Sequence, residues 1–206
     1  MFNEIIKGRT YLVAEYLAQG NPANSADRKG VTLIRWCAFY GDVDAVNTLV
    51  EAGESLQALG ENLDLNGAVF HAYPDLCTYL VEQGANVNYA LPTTGETALH
   101  SALCKHSTPE FETIIEFLLQ QGADPNAKTT PGIETGSFMR DVRTRGETPL
   151  HRAAAFASNR CIDMLLKAGA LKDIADVNGD SPLSWASWYL RPRSILAKLC
   201  YGDYKV

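Results

Sequence analysis

The sequence predicts an all-α fold made of repeated helix-turn-helix units. A motif built around Thr-x-Leu-His recurs in the chain, as GETALHSAL at 95–103 and as GETPLHRAA at 146–154. Weaker copies occur as KGVTLIRWCA at 29–38 and NGDSPLSWAS at 178–187. A second apolar stretch that ends on glycine follows the motif, for example IIEFLLQQG at 114–122. Two amphipathic segments closed by a glycine indicate a pair of helices in each unit.

The glycines that close these units recur at a nearly regular spacing. They are Gly20, Gly53, Gly84, Gly122 and Gly169, and subtraction gives steps of 33, 31, 38 and 47 residues. A period near 33 residues, with T-P-L-H at the start of a unit, is typical of the ankyrin repeat. The chain therefore resembles the ankyrin-repeat family over nearly its whole length.

The resemblance implies an all-α solenoid of stacked helix pairs, joined by hairpin-like fingers and closed by capping units at its ends. We predict a single domain over 1–206. Its predicted parts are an N-terminal cap at 1–26, repeats at about 27–57, 58–90, 91–127 and 140–174, a C-terminal capping repeat at 175–206, and a long finger insertion at 127–143.

The start of each unit can be explained from its own residues. Thr148 can cap the first helix through its hydroxyl, and Pro149 fits the first helical position, where its missing N–H needs no partner. Thr97 holds the same place one unit earlier. The resemblance assigns a structural hydrogen bond with this threonine to the histidine of the motif, His100 or His151. We expect a structural role for all five residues.

Two insertions interrupt the period. The unit at 91–127 has about four extra residues between its helices, and the finger at 127–143 is about 14 residues longer than its equivalents. Insertions in repeat proteins map to loops and often to the binding face. Phe138, Met139 and Arg140 lie near the centre of this finger, and we predict that they contact a partner. A tolerated surface loop is the alternative, since added loop length costs little stability.

The resemblance also implies a binding face. In the family, three positions on the first helix of each unit project toward the concave face and vary between members. Here eight of these 15 positions hold Phe, Trp or Tyr, whereas 19 such residues in 206 would place about 1.4 there by chance. Aromatic side chains are enriched in binding hot spots. The predicted contacts are Trp36, Phe39, Tyr40, Phe70, His71, Lys105, Arg152, Phe156, Trp185, Trp188 and Tyr189.

The alternative for this aromatic row is a structural role. Some of its members could pack between neighbouring helices instead of contacting a partner. Trp185 and Trp188 in particular could form the core of the C-terminal cap, where a solenoid has a neighbour on one side only.

Composition limits the possible classes of function. The chain is 46% hydrophobic and 20% charged, as in ordinary folded proteins. Its net charge of −6 argues against a phosphate-backbone ligand, so we expect no nucleic-acid partner. The N-terminal sequence resembles neither a signal peptide nor a membrane span, and five scattered cysteines without a C-x-x-C pair fit reduced thiols. We expect a cytoplasmic protein without membrane contact that is monomeric when unbound.

Motifs for catalysis are not evident in the sequence. It contains no phosphate loop, dinucleotide fingerprint, nucleophile elbow or H-E-x-x-H zinc motif, so we predict neither an enzyme nor a cofactor. The best candidate for a metal or thiol site is the group formed by His100, Cys104 and His106. It falls short of the four close ligands of a structural zinc site, and the repeat motif already explains His100.

We predict a protein–protein interaction module that acts as an adaptor or regulator. It would bind another protein through the concave aromatic face and the extended finger. The first alternative is a dedicated inhibitor or immunity-type protein that covers the active surface of one target. The second is a metal-binding protein or thiol enzyme that uses His100, Cys104 and His106.

Overall fold

A computed structural model describes residues 1–104, 107–135 and 143–201. Within these ranges the regular elements are helices, and β-structure is limited to two isolated bridges. The predicted all-α class, built from helix pairs, is confirmed. The chain divides into two compact units, Met1–Asn86 and Val87–Val206, which we call unit 1 and unit 2.

Unit 1 contains the N-terminal elements and two helix pairs. Its helices are α1 (Phe2–Ile5), α2 (Val13–Ala18), α3 (Leu33–Phe39), α4 (Val43–Glu51), α5 (Leu65–Phe70) and α6 (Pro74–Glu82), with 3-10 turns at Thr10–Leu12, Leu56–Leu59 and Glu61–Asp64. α3 packs on α4 and α5 on α6, so one pair falls in each of the predicted repeats 27–57 and 58–90. Leu33, Leu49 and Leu80 lie in the apolar core between these helices.

Unit 2 contains three helix pairs. Its helices are α7 (Ala98–Ala102), α8 (Pro109–Gln120), α9 (Pro149–Phe156), α10 (Asn159–Lys167), α11 (Pro182–Trp188) and α12 (Arg193–Leu199). The pairs α7/α8, α9/α10 and α11/α12 each form direct contacts, and α9 also packs on α11. Leu99, Ile115 and Leu165 are fully buried in its core.

A reciprocal hydrogen bond between threonine and histidine starts the first helix of two repeats. The backbone N–H of Thr148 donates to Nδ1 of His151 over 3.1 Å, and the two side chains approach to 2.9 Å. Since Nδ1 accepts, Nε2 carries the proton and donates to the carbonyl of Asp180 over 3.0 Å. Thr97 and His100 repeat this capping geometry. Each ring thus joins its own helix start to the backbone of the following repeat.

Asparagine side chains tie successive fingers of unit 2 together. The carboxamide of Asn88 donates to the carbonyl of Gly122 over 2.9 Å and accepts from the N–H of Asp124 over 2.7 Å. Asn126 makes the equivalent pair of bonds one repeat later. These bonds satisfy backbone groups at the end of each second helix, where no helical partner remains.

The pair α5/α6 starts irregularly because it lacks the threonine of the motif. Leu63 occupies that position, and Asn62, Leu63 and Asp64 all adopt left-handed backbone conformations, with φ of 50°, 53° and 55°. The side chain of Asn62 holds this turn, because it accepts from the N–H of Asn86 over 2.7 Å and donates to its carbonyl over 3.0 Å. α5 therefore begins only at Leu65.

The described ends of the long finger contact each other. Glu134 and Arg143 form an isolated antiparallel bridge. The N–H of Gly132 donates to the carbonyl of Thr144 over 2.7 Å, and the N–H of Thr144 donates to the carbonyl of Ile133 over 2.9 Å. The two ends of the finger therefore form a short stem.

The other insertion lies between α7 and α8. Residues 103–108 connect these two helices, whereas residues 157–158 connect α9 to α10. Several residues singled out in the two insertions lie outside the described residues: Lys105, His106, Phe138, Met139 and Arg140.

We expect that Ala72→Gly stabilises the protein. The turns after α3, α5 and α11 use left-handed conformations at Gly41, Ala72 and Leu190, with φ of 72°, 60° and 51°. A left-handed residue other than glycine costs about 1–2 kcal/mol, which exceeds the ~0.5–1 kcal/mol that glycine loses through its greater freedom in the unfolded chain. Urea unfolding should give a free energy of unfolding higher by about 0.5 kcal/mol.

Ala52→Gly is the matched control. Ala52 also follows a helix of unit 1, but its φ of −81° is ordinary for alanine. Glycine there should lower the free energy of unfolding by about 0.5–1 kcal/mol. Equal losses in both variants would contradict the proposed strain at Ala72.

Candidate protein-binding surface

Six aromatic rings lie together on unit 1. They are Trp36, Phe39, Tyr40, Phe70, His71 and Tyr73, and we call them the aromatic surface. Neighbouring rings contact one another edge to face or by stacking, so the set is continuous: the ring centroids are 5.9 Å apart for Trp36 and Phe39, 5.3 Å for Phe39 and His71, and 5.8 Å for His71 and Tyr73. Such contacts stabilise aromatic pairs beyond the burial of their area.

The helix pairs of unit 1 position these rings by repetition. Phe39 and Tyr40 close α3, and Phe70 and His71 stand 31 residues later at the end of α5. The chain turns sharply after each of these pairs and begins the second helix. Equivalent places in two adjacent repeats therefore bring their side chains to one surface.

Hydrogen bonds from two tyrosines fix the edges of the surface. The hydroxyl of Tyr40 donates to the carbonyl of Ile6 over 3.1 Å, and that of Tyr73 donates to the carbonyl of Phe39 over 3.2 Å. Gly41 is required for this arrangement, because a Cβ there would lie 2.7 Å from the ring of Tyr73. The rings are thus held in place before any partner arrives.

The aromatic surface is partly open to solvent. Phe39 is 49% exposed and Tyr40 36% exposed, and His71 is also exposed. Trp36, Phe70 and Tyr73 are half-buried. Soluble proteins scatter single apolar residues over their surfaces, but contiguous exposed apolar groups mark interaction sites. Tyr73 was missed by the sequence prediction because it stands in the turn after the helix and not on it.

The aromatic residues predicted in unit 2 divide into two groups. Trp188 is 75% exposed and Tyr189 is 40% exposed, and Phe156 packs edge to face on Tyr189 at 4.8 Å. Trp185 is only 5% exposed, and its indole N–H donates to the carboxylate of Asp176 over 3.2 Å. The structure therefore places Trp185 in the core of the last repeat, which corrects its prediction as a partner contact.

Arg152 also requires a correction. Its side chain is fully buried, and one guanidinium nitrogen lies 2.7 Å from a carboxylate oxygen of both Glu96 and Glu147. Another nitrogen donates to the carbonyl of His100 and to the sulfur of Cys104, each over 3.2 Å. A partner cannot reach this group. The sequence does carry a signal for this buried ionic group, because a glutamate, Glu96 or Glu147, directly precedes the threonine in both strong copies of the motif.

The two buried glutamates also bind the stem of the long finger. Glu147 accepts from the hydroxyl of Thr129 over 2.7 Å and from the N–H of Arg145 over 2.7 Å. Glu96 accepts from the hydroxyl of Thr135 over 2.9 Å. Burial opposes the ionisation of Glu147, but the charge of Arg152 and these hydrogen bonds outweigh it and lower its pKa to about 2.

His100 and Cys104, two of the three candidate metal or thiol groups, are engaged in the fold. Burial, aided by the charge of Arg152, lowers the pKa of His100 to about 3, and its ring nitrogens contact Thr97 and the carbonyl of Glu147. Burial raises the pKa of Cys37 and that of Cys77 to about 12, so both are neutral thiols near pH 7. No group of three His, Cys, Asp or Glu side chains suits a metal ion among residues 1–104, 107–135 and 143–201.

No helix in the described part of the chain combines the length and the apolar character needed to cross a bilayer. The longest of these helices, α8, has 12 residues.

Comparison with known proteins identifies the repeat. The ankyrin-repeat family model matches residues 94–130 and 145–177. The BTB/POZ domain and ankyrin repeat-containing protein NH5.2 of Oryza sativa subsp. japonica is 31% identical over 134 residues, which are 64% of this chain and 26% of that protein. Palmitoyltransferase ZDHHC13 of Homo sapiens is 25% identical over 207 residues, covering 89% of this chain and 33% of that protein.

A third relative comes from yeast. The target of rapamycin complex 2 subunit AVO2 of Saccharomyces cerevisiae is 30% identical over 123 residues, covering 58% of this chain and 24% of that protein. The chain thus spans about a quarter to a third of the length of these three curated relatives.

We expect Arg152→Met to destabilise the protein strongly. The substitution leaves Glu96 and Glu147 buried without their cation, and such a loss costs about 3–5 kcal/mol. Urea unfolding would measure it. Arg160→Met is the matched control, because Arg160 pairs with Glu116 at the surface and such pairs contribute about 1 kcal/mol or less. Equal effects of the two substitutions would refute a dominant role for the buried network.

We also expect stability to fall as the pH is lowered from 7 to 5. The ring of His100 is neutral in the fold, whereas it binds a proton near pH 6.5 in the unfolded chain. The contribution of this neutral ring to the free energy of unfolding is therefore complete above pH 6.5 and decreases toward pH 3. At pH 5 the free energy of unfolding is lower by about 2 kcal/mol. Burial lowers the pKa of His151 as well, which acts in the same direction.

Urea unfolding at pH 7, 6 and 5 measures this loss, because unfolded carboxylates remain largely ionised in that interval. His100→Asn cannot take up the proton and should lose less stability than the wild type between pH 7 and 5. Below about pH 4.5 the depressed pKa of Glu147 adds a further loss. A free energy of unfolding that stays constant from pH 7 to 5 would contradict the burial of neutral histidines.

Proposed function

Because this chain is an ankyrin-repeat protein, we propose that it binds another protein through the aromatic surface of unit 1. Ankyrin repeats are protein–protein interaction modules. The observation that supports this site is its continuous set of contacting rings, in which Phe39, Tyr40 and His71 are exposed. Aromatic side chains provide large contact areas with few rotatable bonds, and they dominate binding hot spots.

The fixed geometry of the rings favours tight binding. Tyr40 and Tyr73 are each anchored to backbone carbonyls, so little side-chain entropy remains to be lost on association. An ordered side chain avoids a cost of about 0.5–1.5 kcal/mol that a mobile one pays at an interface. The aromatic surface therefore has both the composition and the rigidity of a recognition site.

The role we propose is that of an adaptor or regulator. The yeast relative is, by its name, a subunit of a complex, which is the kind of setting in which such a module operates. The finger at 127–143 supplies a candidate second contact. We also propose a cytoplasmic location, because the five cysteines, all within the described residues, are reduced thiols.

Affinity capture with immobilised protein tests the site. Wild type, Phe39→Ala/His71→Ala and Trp188→Ala would each be incubated with native lysate, and the bound proteins quantified by mass spectrometry. We expect the double variant to retain a specific partner about tenfold less than the wild type, since hot-spot truncations cost about 2 kcal/mol or more. Both substituted side chains are exposed, so circular dichroism should show an unchanged fold.

Trp188→Ala is the matched control, because it removes an exposed aromatic side chain from unit 2. Equal capture by the wild type and the double variant would reject the aromatic surface as the binding site. Loss only in the Trp188→Ala variant would move the site to the last repeat. One stoichiometric protein among those captured would favour an inhibitor over an adaptor.

A further inference from the structure

The net charge of the chain resides entirely in unit 1. Residues 1–86 contain five Lys or Arg and eleven Asp or Glu, a net charge of −6, whereas residues 87–206 contain thirteen of each. The aromatic surface therefore belongs to an acidic unit. Surface potentials of this kind steer oppositely charged partners and repel those of like charge.

Acidic residues stand directly beside the aromatic rings in the chain. Asp44 lies in the first turn of α4, four residues after Tyr40, and Asp75 lies in the first turn of α6, two residues after Tyr73. Both aspartates are exposed. Two open carboxylates thus flank the turns that carry the rings.

Three of the five basic residues of unit 1 make polar contacts within the protein. Lys7 and Arg9 lie on either side of Gly8, which packs near the ring of Tyr40, and both form ion pairs with Glu4, at 3.4 Å and 2.9 Å. Arg35 donates to the carbonyl of Leu59 over 3.3 Å. These contacts offset part of the local positive charge, whereas Arg28 and Lys29 line a pocket together with Trp36.

We propose that the aromatic surface receives a basic segment of the partner protein. An arginine or lysine side chain lies over the exposed faces of Phe39 and Tyr40, with its charge directed toward Asp44 and Asp75. Aromatic faces attract cations, and the planar guanidinium of arginine also stacks on them. The assignment rests on the proposed function, because it names the chemistry of the partner for that same site.

The same observations disfavour other occupants. An acidic segment would face a unit of net charge −6, and an apolar segment would leave the flanking carboxylates without a counterpart. Like charges placed across an interface repel each other, whereas a cation over an exposed aromatic ring is attracted to it. Charge complementarity therefore selects a basic partner.

A displayed library of random 12-residue peptides tests the chemistry without knowledge of the natural partner. It would be selected in parallel on wild type, Phe39→Ala and Trp188→Ala. We expect the wild type and Trp188→Ala to enrich peptides in which Lys and Arg exceed Asp and Glu, and Phe39→Ala to lose this enrichment. His71→Ala provides a second variant at the site should Phe39→Ala unfold.

A charge-only variant provides the second measurement. One enriched peptide, labelled with fluorescein, would be titrated against Asp44→Asn/Asp75→Asn and against Glu51→Gln/Glu82→Gln, which alters the opposite ends of the same two helices. We expect the first variant to bind about three- to fivefold more weakly and the second to match the wild type. Raising NaCl from 50 to 300 mM should weaken wild-type binding and narrow this difference.

The outcomes separate the partner chemistry from the existence of the site. Enriched peptides without an excess of Lys and Arg, lost in Phe39→Ala, would overturn the basic partner and leave the aromatic surface as the binding site. A basic excess that persists in both Phe39→Ala and His71→Ala would overturn both proposals, as would the absence of any enriched set. Equal affinities of the two charge variants would overturn the role of Asp44 and Asp75.

Discussion

The structure of unit 2 depends on one buried cation shared by two buried carboxylates. Glu96 and Glu147 precede the threonines that start α7 and α9, so both carboxylates enter the core at the junction of two repeats. An isolated buried charge is strongly unfavourable, so these two carboxylates need a cation beside them. Arg152 lies between them, 2.7 Å from each, and it also bonds the carbonyl of His100. Arg152 lies on α9, and it therefore joins the starts of α7 and α9 and also bonds a carbonyl of α7.

The repeats of unit 1 pack together without such a buried ionic network. Its motif positions hold Arg35 and Asn66 where the first two repeats of unit 2 have histidines, and its repeats are joined by apolar cores and by tyrosine-to-carbonyl bonds. The rings of the aromatic surface stand at other positions of the repeat and are half-buried or exposed. The buried ionic network therefore distinguishes unit 2 from unit 1, whereas both units expose aromatic rings.

Helix pairs could be predicted from the sequence because their signals are local. Threonine or proline at the start and glycine after the end act within a few residues, so the repeats with a full motif were located from these residues alone. The irregular start of α5 could not be predicted, because Asn62 is held by Asn86 from the following finger. Local rules contain no information about that partner.

The aromatic row was predicted from register, and register alone could not separate exposed members from buried ones. Phe39 and Trp188 face solvent, whereas Trp185 and Arg152 turn inward because Asp176 and the two glutamates bind them. Burial of a polar side chain depends on partners that are distant in sequence, as Glu96 is from Arg152, 56 residues later. Such pairs become visible only once the repeats are stacked.

The stem of the long finger allows the residues that connect its two sides to be replaced. On one side of the stem, the hydroxyls of Thr129 and Thr135 donate to the carboxylates of Glu147 and Glu96. On the other side, the N–H of Thr144 donates to the carbonyl of Ile133. The ends of the inserted segment are therefore held together whatever residues connect them, and lengthening such a loop costs little free energy. Evolution, or a protein engineer, can exchange the connecting sequence for a new recognition element while the repeats that carry it remain unaltered.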